Sequence, residues 1–417
     1  MNRITSFPCT LVALSAAAVL ALSGCGTTIG PKVVGKSFGD YNRAVSDVLR
    51  EELLLNIVRR RYYESPQFTA FSGISTSRSI SGDLSVNAGR APFFRVVGAG
   101  ANVSQSDFPT YSILPQQGPE ISSKLHEQIP LDAFSQMAGA GYPLDLVFVM
   151  LAQDVAGIRG VDVGTGAEFK GGSRQYVQML ANIRQLEASN KLVLTDVVWE
   201  EPYFAHPFSP ETFTPSEVLS GATEGNSYAS LDGGESFYVT NRTFLPAIWI
   251  DPAHRTSGTG RDLINLLQLD PDPLKRVWRL ENIKVLSGPD LKGEAQSADR
   301  LPVRTRSYYG VLNLLSHGVE VPDDDENMAA FETTKYDEAV EAGTAPDITG
   351  YFQIYFSKTK PAQSSVAVKY RDGWFYIDDR DRGSKRVFNA LYDLYNLQVA
   401  PSSQGGGGAP VLTLPAR

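Results

Sequence analysis

Side chains able to do chemistry are few in this chain, and they are widely spaced. The four His stand at 126, 206, 254 and 317, and none lies three or four residues from another. No helix face can therefore present a His pair to a metal. Asp251, His254 and Ser257 carry the residue types of a hydrolase site, but the Gly-rich stretch that follows reads as a loop. Asp323-Asp324-Asp325-Glu326 offers carboxylates of the kind calcium takes. It lacks the glycine and the ligand alternation of a calcium loop and reads as a solvated turn. Asp378-Asp379 with Asp381 reads first as the cap and acidic first turn of the last helix. Gly164-Thr165-Gly166 and Gly171-Gly172 flank Lys170 at a spacing that fits neither a phosphate loop nor a dinucleotide fingerprint. The chain contains no His-Glu-x-x-His pair. Paired carboxylates for glycoside chemistry need no adjacency in sequence, so a periplasmic hydrolase stays as one reading. No catalytic residue, metal ligand or cofactor site is assigned.

Cysteine is the remaining reactive type, and the chain has two, Cys9 and Cys25. Met1-Asn2-Arg3 supplies one positive charge, and Leu11 to Leu22 is apolar or small throughout. That run is shorter than the roughly 20 apolar residues a membrane helix needs, and it fits the apolar region of a signal peptide. Leu22-Ser23-Gly24-Cys25 then resembles the lipobox of bacterial lipoproteins. The resemblance implies a diacylglycerol thioether on Cys25, removal of residues 1–24, and acylation of the new amine by a chain such as palmitate. Gly26 and Thr27 follow in place of an Asp, which in that family implies the outer membrane, with the body facing the periplasm. Cys9 is lost with the signal. The mature body then has no thiol except the lipidated one, and no disulfide can form within it. Two or more acyl chains give stable anchoring. Gly26, Gly30, Pro31, Gly35 and Gly39 mark residues 25–39 as a tether.

The composition agrees with a folded, anchored body. The chain has 417 residues, with 38 Lys+Arg against 46 Asp+Glu and a formal charge of −8. Such acidity argues against a nucleic-acid partner, because binding to phosphates requires cations that displace counterions. Hydrophobic residues at 42% and charged residues at 20% exclude a disordered chain.

The elements that position these residues read as α+β, with mixed helices and antiparallel sheets in two subdomains. Asp40 reads as the cap of a helix to about Tyr63, ending in Arg59-Arg60-Arg61. These three cations suit a helix C-terminus, and they form the candidate interaction surface toward anionic headgroups or an acidic partner. Residues 72–106 contain eight Ser and five Gly. Ile74, Ile80, Leu84 and Val86 share one alternation phase, and Val97, Ala99, Ala101 and Val103 repeat it. This predicts antiparallel strands with a turn near Gly89 to Pro92. Weak alternation of small residues also marks membrane barrels, and secretion-pore lipoproteins contribute such hairpins to a shared barrel. Arg78 lies in the apolar phase and counts against that reading, at about 2–4 kcal/mol if it met lipid at the midplane.

Helices follow near 121–127, 130–138, 143–155 and 173–189, then a β-rich run at 191–199. The Pro- and aromatic-rich stretch 202–215 is the expected boundary between units 40–201 and 202–399. Strands are expected at 228–231, 237–240 and 247–250, with a hairpin turn at Asp232-Gly233-Gly234, and helices at 261–269 and 307–316. Ser365 to Tyr370, Arg371-Asp372-Gly373 and Trp374 to Ile377 form a strand, a turn and a strand, with Asp372-Gly373 expected to supply the positive φ. Asp381 starts a last helix with Val387, Leu391, Leu394 and Tyr395 inward. Residues 400–417 read as a Gly-rich tail, either frayed or adding Pro410 to Pro415 to a sheet edge.

Three segments taken together, Glu52-Leu53-Leu54-Leu55-Asn56-Ile57-Val58-Arg59, Tyr370-Arg371-Asp372-Gly373-Trp374-Phe375-Tyr376 and Pro410-Val411-Leu412-Thr413-Leu414, resemble uncharacterised proteobacterial outer-membrane lipoproteins. The resemblance implies an envelope address and transfers no activity. The functional expectation is a lipid-anchored scaffold or accessory subunit of a periplasmic or outer-membrane assembly, with envelope partners or self-association. The alternatives are an oligomeric pore component using the 72–106 hairpins and a periplasmic hydrolase.

Overall fold

The computed structural model describes residues 31–90, 95–116, 118–161, 172–202, 207–230, 235–272, 276–283, 299–322, 335–399 and 412–415. Residues 1–30, expected to hold the signal and Cys25, the 323–326 acidic run and residues 164–171 lie outside them. The architecture is α+β, with helices packed around mostly antiparallel sheets, and no sheet among the described residues closes into a barrel.

Helix α1 spans Pro31–Arg61. It begins before the expected Asp40 cap, so residues 31–39, expected to be tether, are helical. Pro31 occupies the first turn, where its missing N–H costs no bond. The chain divides inside this helix into two compact units, Met1–Glu52 and Leu53–Arg417.

In the second unit, β1 (Phe68–Arg90) and β2 (Arg95–Gln116) pair antiparallel along their whole lengths. Helices α2 (Pro119–His126), α3 (Asp132–Gly139) and α4 (Leu144–Leu151) follow. Strands β3 (Ala152–Val155) and β4 (Ile158–Arg159), helix α5 (Arg174–Ala188) and strand β5 (Leu192–Pro202) come next. After them lie α6 (Pro215–Thr223), β6 (Asn226–Ser230), β7 (Phe237–Ile250), α7 (Gly258–Leu266), β8 (Trp278–Asn282), β9 (Arg300–Thr305) and α8 (Tyr308–Ser316). A helix over 335–341, α9, precedes β10 (Tyr355–Ser357), β11 (Ser364–Tyr370), β12 (Gly373–Asp378), α10 (Arg382–Gln398) and β13 (Leu412–Pro415).

Three sheets result. One is β1-β2-β13, one is β10-β12-β11, and a seven-stranded sheet runs β4-β3-β9-β8-β7-β5 with β6 also on β7. Among the described strands only β8 and β9 pair parallel. β5 pairs with β7 from Leu192↔Ile250 to Pro202↔Thr240. The boundary expected at 202 therefore falls within a sheet whose strands come from both sides of it. The same hydrophobic core holds Leu192 and Leu194 with Ile248 and Ile250. β7 is also one strand where two were expected, running through Pro246 opposite Asp196.

The centre of the core is α4, buried at every position from Leu144 to Leu151. Such a helix, apolar at every position but Asp145, needs cover on every side. Helix α5 supplies Tyr176, Met179, Leu180, Ile183 and Leu186, all buried, and Ser173 caps it by accepting from the Tyr176 N–H. α10 buries Val387, Leu391 and Leu394 as its spacing predicted, with Phe388. The β11–β12 turn differs from expectation in one detail. Arg371 carries the positive φ, at 50°. Gly373 is needed for space: a Cβ there would run into the ring of Phe356.

Candidate functional site

The β1–β2 hairpin is the feature that core packing does not explain. Its strands have 23 and 22 residues, where roughly 3–10 is usual. After one irregularity between Phe71 and Gly73 the register is continuous from Gly73↔Ser112 to Arg90↔Arg95. Period-two pleating sorts these pairs onto two faces.

On one face the opposed pairs are Ile80↔Gln105, Gly82↔Val103, Leu84↔Ala101, Val86↔Ala99 and Ala88↔Val97. Arg78↔Asp107 bounds this band at one end, and Arg90↔Arg95 bounds it at the other. On the opposite face the pairs are Ser79↔Ser106, Ser81↔Ser104, Asp83↔Asn102, Ser85↔Gly100 and Asn87↔Gly98. One face is thus apolar apart from Gln105 at its end, and the other is small and polar. The apolar band runs from Ile80 to Ala88 on β1, nine residues, the lower end of the roughly 9–11 residues of a tilted membrane strand. No helix among the described residues is long and apolar enough to cross a membrane.

The hairpin is pinned at its base. Asn56, fully buried on α1, donates from Nδ2 to the Gln67 carbonyl at 2.6 Å and accepts the Gln67 N–H at 2.9 Å. One side-chain amide thus reproduces a strand pairing where the chain enters β1. Phe68, also buried, stacks on Tyr395 of α10 at 5.1 Å between ring centroids and meets Tyr308 of α8 edge-on at 6.1 Å. β13 adds to β2 from Leu412↔Ile113 to Pro415↔Thr110. The tail therefore supplies a strand to this sheet, and it is the hairpin's only further strand neighbour among the described residues. Beyond Thr110 the ribbon is two-stranded.

The arginines expected as an interaction surface sit differently. Arg60 and Arg61 are buried and Arg59 is half-buried. Arg60 donates from Nε to Asn313 Oδ1 at 2.7 Å and from Nη1 to the Glu64 carbonyl at 2.9 Å. Its guanidinium lies 4.5 Å from the centre of the Tyr309 ring. Arg59 reaches Asn56 Oδ1 at 3.3 Å. Arg60 holds the end of α1 on α8, because a guanidinium can satisfy several acceptors at once where it is buried.

The residues with hydrolase chemistry are used locally. Asp251 caps a short 3₁₀ turn by accepting from the Ala253 N–H at 3.0 Å, and its other oxygen faces Lys191 Nζ at 3.2 Å and His254 Nδ1 at 3.3 Å. That backbone hydrogen bond, with Lys191 next, lowers the Asp251 pKa. Ser257 stands at the N-cap of α7 without a side-chain cap bond. Asp381 caps α10 through the Ser384 N–H at 3.0 Å, and Asp379 pairs with Lys385 at 2.8 Å.

Asp145 is buried in the first turn of α4. It pairs with Arg184 at 2.5 Å and accepts from the Tyr351 hydroxyl at 3.0 Å, which leaves its charge matched. His126 and His317 donate from Nδ1 to the Ser122 and Asn313 carbonyls one helical turn back; His206 lies outside the described residues. No group of three or more His, Cys, Asp or Glu among the described residues could hold a metal ion. An open groove of about 520 Å³ is lined by Phe213, Pro215, Val218, Leu219, Ala222, Tyr228 and Phe237, with no acid or base except the Tyr228 hydroxyl.

Comparison with protein-family models, curated proteins and solved structures finds no match.

Proposed function

We propose that this is a lipid-anchored protein of the outer membrane whose copies join their β1–β2 hairpins into a transmembrane pore. Cys25 would carry the diacylglycerol and the N-acyl chain, and the body would face the periplasm. The observation that carries the reading is the paired register of the hairpin. It places an uncharged apolar band on one face and a Ser, Asn and Gly face on the other, over the length a bilayer requires. An isolated two-stranded ribbon is marginal in water, and unpaired backbone is costlier still in lipid. Hairpins of neighbouring copies would pair β1 of one with β2 of the next and satisfy both edges. Arg78, which argued against the membrane on sequence alone, stands opposite Asp107 at the end of the band. There the cost of a cation on the lipid face falls to about 0–1 kcal/mol.

Three readouts on the full lipidated chain test the proposal: complex mass after mild detergent extraction, in-cell crosslinking, and conductance in planar bilayers. A ring of several copies with discrete conductance steps is expected. A monomer released intact by proteolysis of the residues after Cys25 would overturn it.

A second reading, a periplasmic scaffold or accessory subunit, is favoured by a different observation. Val198 and Phe244 are directly opposed on β5 and β7, and they are 45% and 65% exposed. Leu219, in the nearby sequence of the groove, is 68% exposed. An envelope partner seated there would crosslink to these positions and leave the complex without conductance.

A further inference from the structure

The small polar face of the hairpin carries a single charge. Along positions 73–89 of β1 and 96–112 of β2 that share this face, Asp83 is the only ionisable residue. It stands opposite Asn102, with Ser81↔Ser104 and Ser85↔Gly100 as its neighbours along the ribbon. It also lies near the middle of the apolar band on the other face, between the levels of Arg78 and Arg90.

We propose that Asp83 sets the ion preference of the pore, as a ring of carboxylates at mid-depth that favours cations. This rests on the pore reading above. In a barrel the face turned from lipid lines the lumen, so each copy would contribute one carboxylate at the same depth. A hairpin spans two strand spacings, so at a tilt of about 45° adjacent carboxylates at one depth would lie roughly 14 Å apart. That is comparable to the Debye length of about 10 Å at 0.1 M salt. Their fields overlap in dilute salt and separate in concentrated salt. Rings of Asp or Glu are how cation channels select. The arginines at the ends of the band lie on the other face, so they do not cancel this charge within the lumen.

The test is reversal potential across planar bilayers holding the purified full-length lipidated oligomer, with a tenfold KCl gradient. Wild type is expected to show a K⁺/Cl⁻ permeability ratio of about five or more at low salt, falling toward one as salt rises. Asp83→Asn and Asp83→Ser should bring the ratio near one with conductance steps retained. Asp83→Lys should favour Cl⁻, and Asp83→Glu should keep the cation preference. Conductance that is unselective in wild type, or unchanged by Asp83→Asn and Asp83→Ser, overturns this inference and leaves the pore standing. Absence of any conductance in wild type overturns the pore and this inference with it.

Discussion

Arg78 and Asp107 stand directly opposite each other in the β1–β2 ladder, at the point where the apolar band begins. Opposite charges in cross-strand register stabilise a sheet by roughly 0.2–1 kcal/mol. Removing one leaves the other on a face otherwise suited to lipid. Asp107→Asn should lower the assembled, membrane-inserted fraction roughly fivefold, the effect of about 1 kcal/mol. The exchange Arg78→Asp with Asp107→Arg should restore it. Sedimentation of detergent extracts measures both, and an exchange no better than the single variant would remove the pair from the account.

The base of the hairpin depends on Asn56 and its two hydrogen bonds to Gln67. Asn56→Ala deletes both and leaves partly buried backbone groups without partners. The expected loss is about 1–3 kcal/mol per unsatisfied group, read as a lower urea midpoint. Amide exchange should also quicken at Gln67. Asn56→Asp keeps only the accepting half and should fall between the two.

Gly373→Ala should be destabilising although its φ is ordinary, because the new Cβ meets the Phe356 ring. Overpacking of this kind costs about 1–3 kcal/mol. Pairing it with Phe356→Leu should recover much of the loss, measured by thermal unfolding. If Gly373→Ala were neutral, the glycine would not be there for space.

His317 gives the fold a pH dependence. It is half-buried against Tyr336, with ring centroids 4.4 Å apart. Burial, with Arg61 next, pushes its pKa from 6.5 down to about 4. A lowered folded pKa means the unfolded chain binds a proton first as pH falls. Stability from this residue is full above pH 6.5 and is lost progressively toward pH 4. The maximum loss is about 3 kcal/mol. His317→Phe should flatten the stability profile between those pH values; an unchanged profile would assign the effect to other groups.

Local pattern revealed much of the fold and part of the site. The apolar stripe of α10, the Ser173 cap of α5 and the alternation within 72–106 were all readable, because each depends on neighbours in sequence. What escaped depends on distant partners. Arg60 reads as a solvated helix end until Asn313 of α8 closes on it. Pro202 reads as a boundary until it is seen opposite Thr240. The turn at 371–373 was recognised, yet its glycine answers to Phe356, a contact from another strand. That Arg78 stands opposite Asp107 likewise depends on a strand some thirty residues away and is seen only in the register.

The two-faced hairpin is tested most directly by cysteine scanning in intact cells. The natural chain offers only Cys9 and Cys25, so a new thiol in the hairpin is clean to read. Single variants Ser79→Cys, Ser81→Cys and Ser85→Cys should react with a membrane-impermeant maleimide. Ile80→Cys, Leu84→Cys and Val86→Cys should resist it and react with a lipid-soluble reagent instead. Strict alternation over 79–86 is the result the account predicts. Uniform reaction of all six with the water-soluble reagent would contradict it.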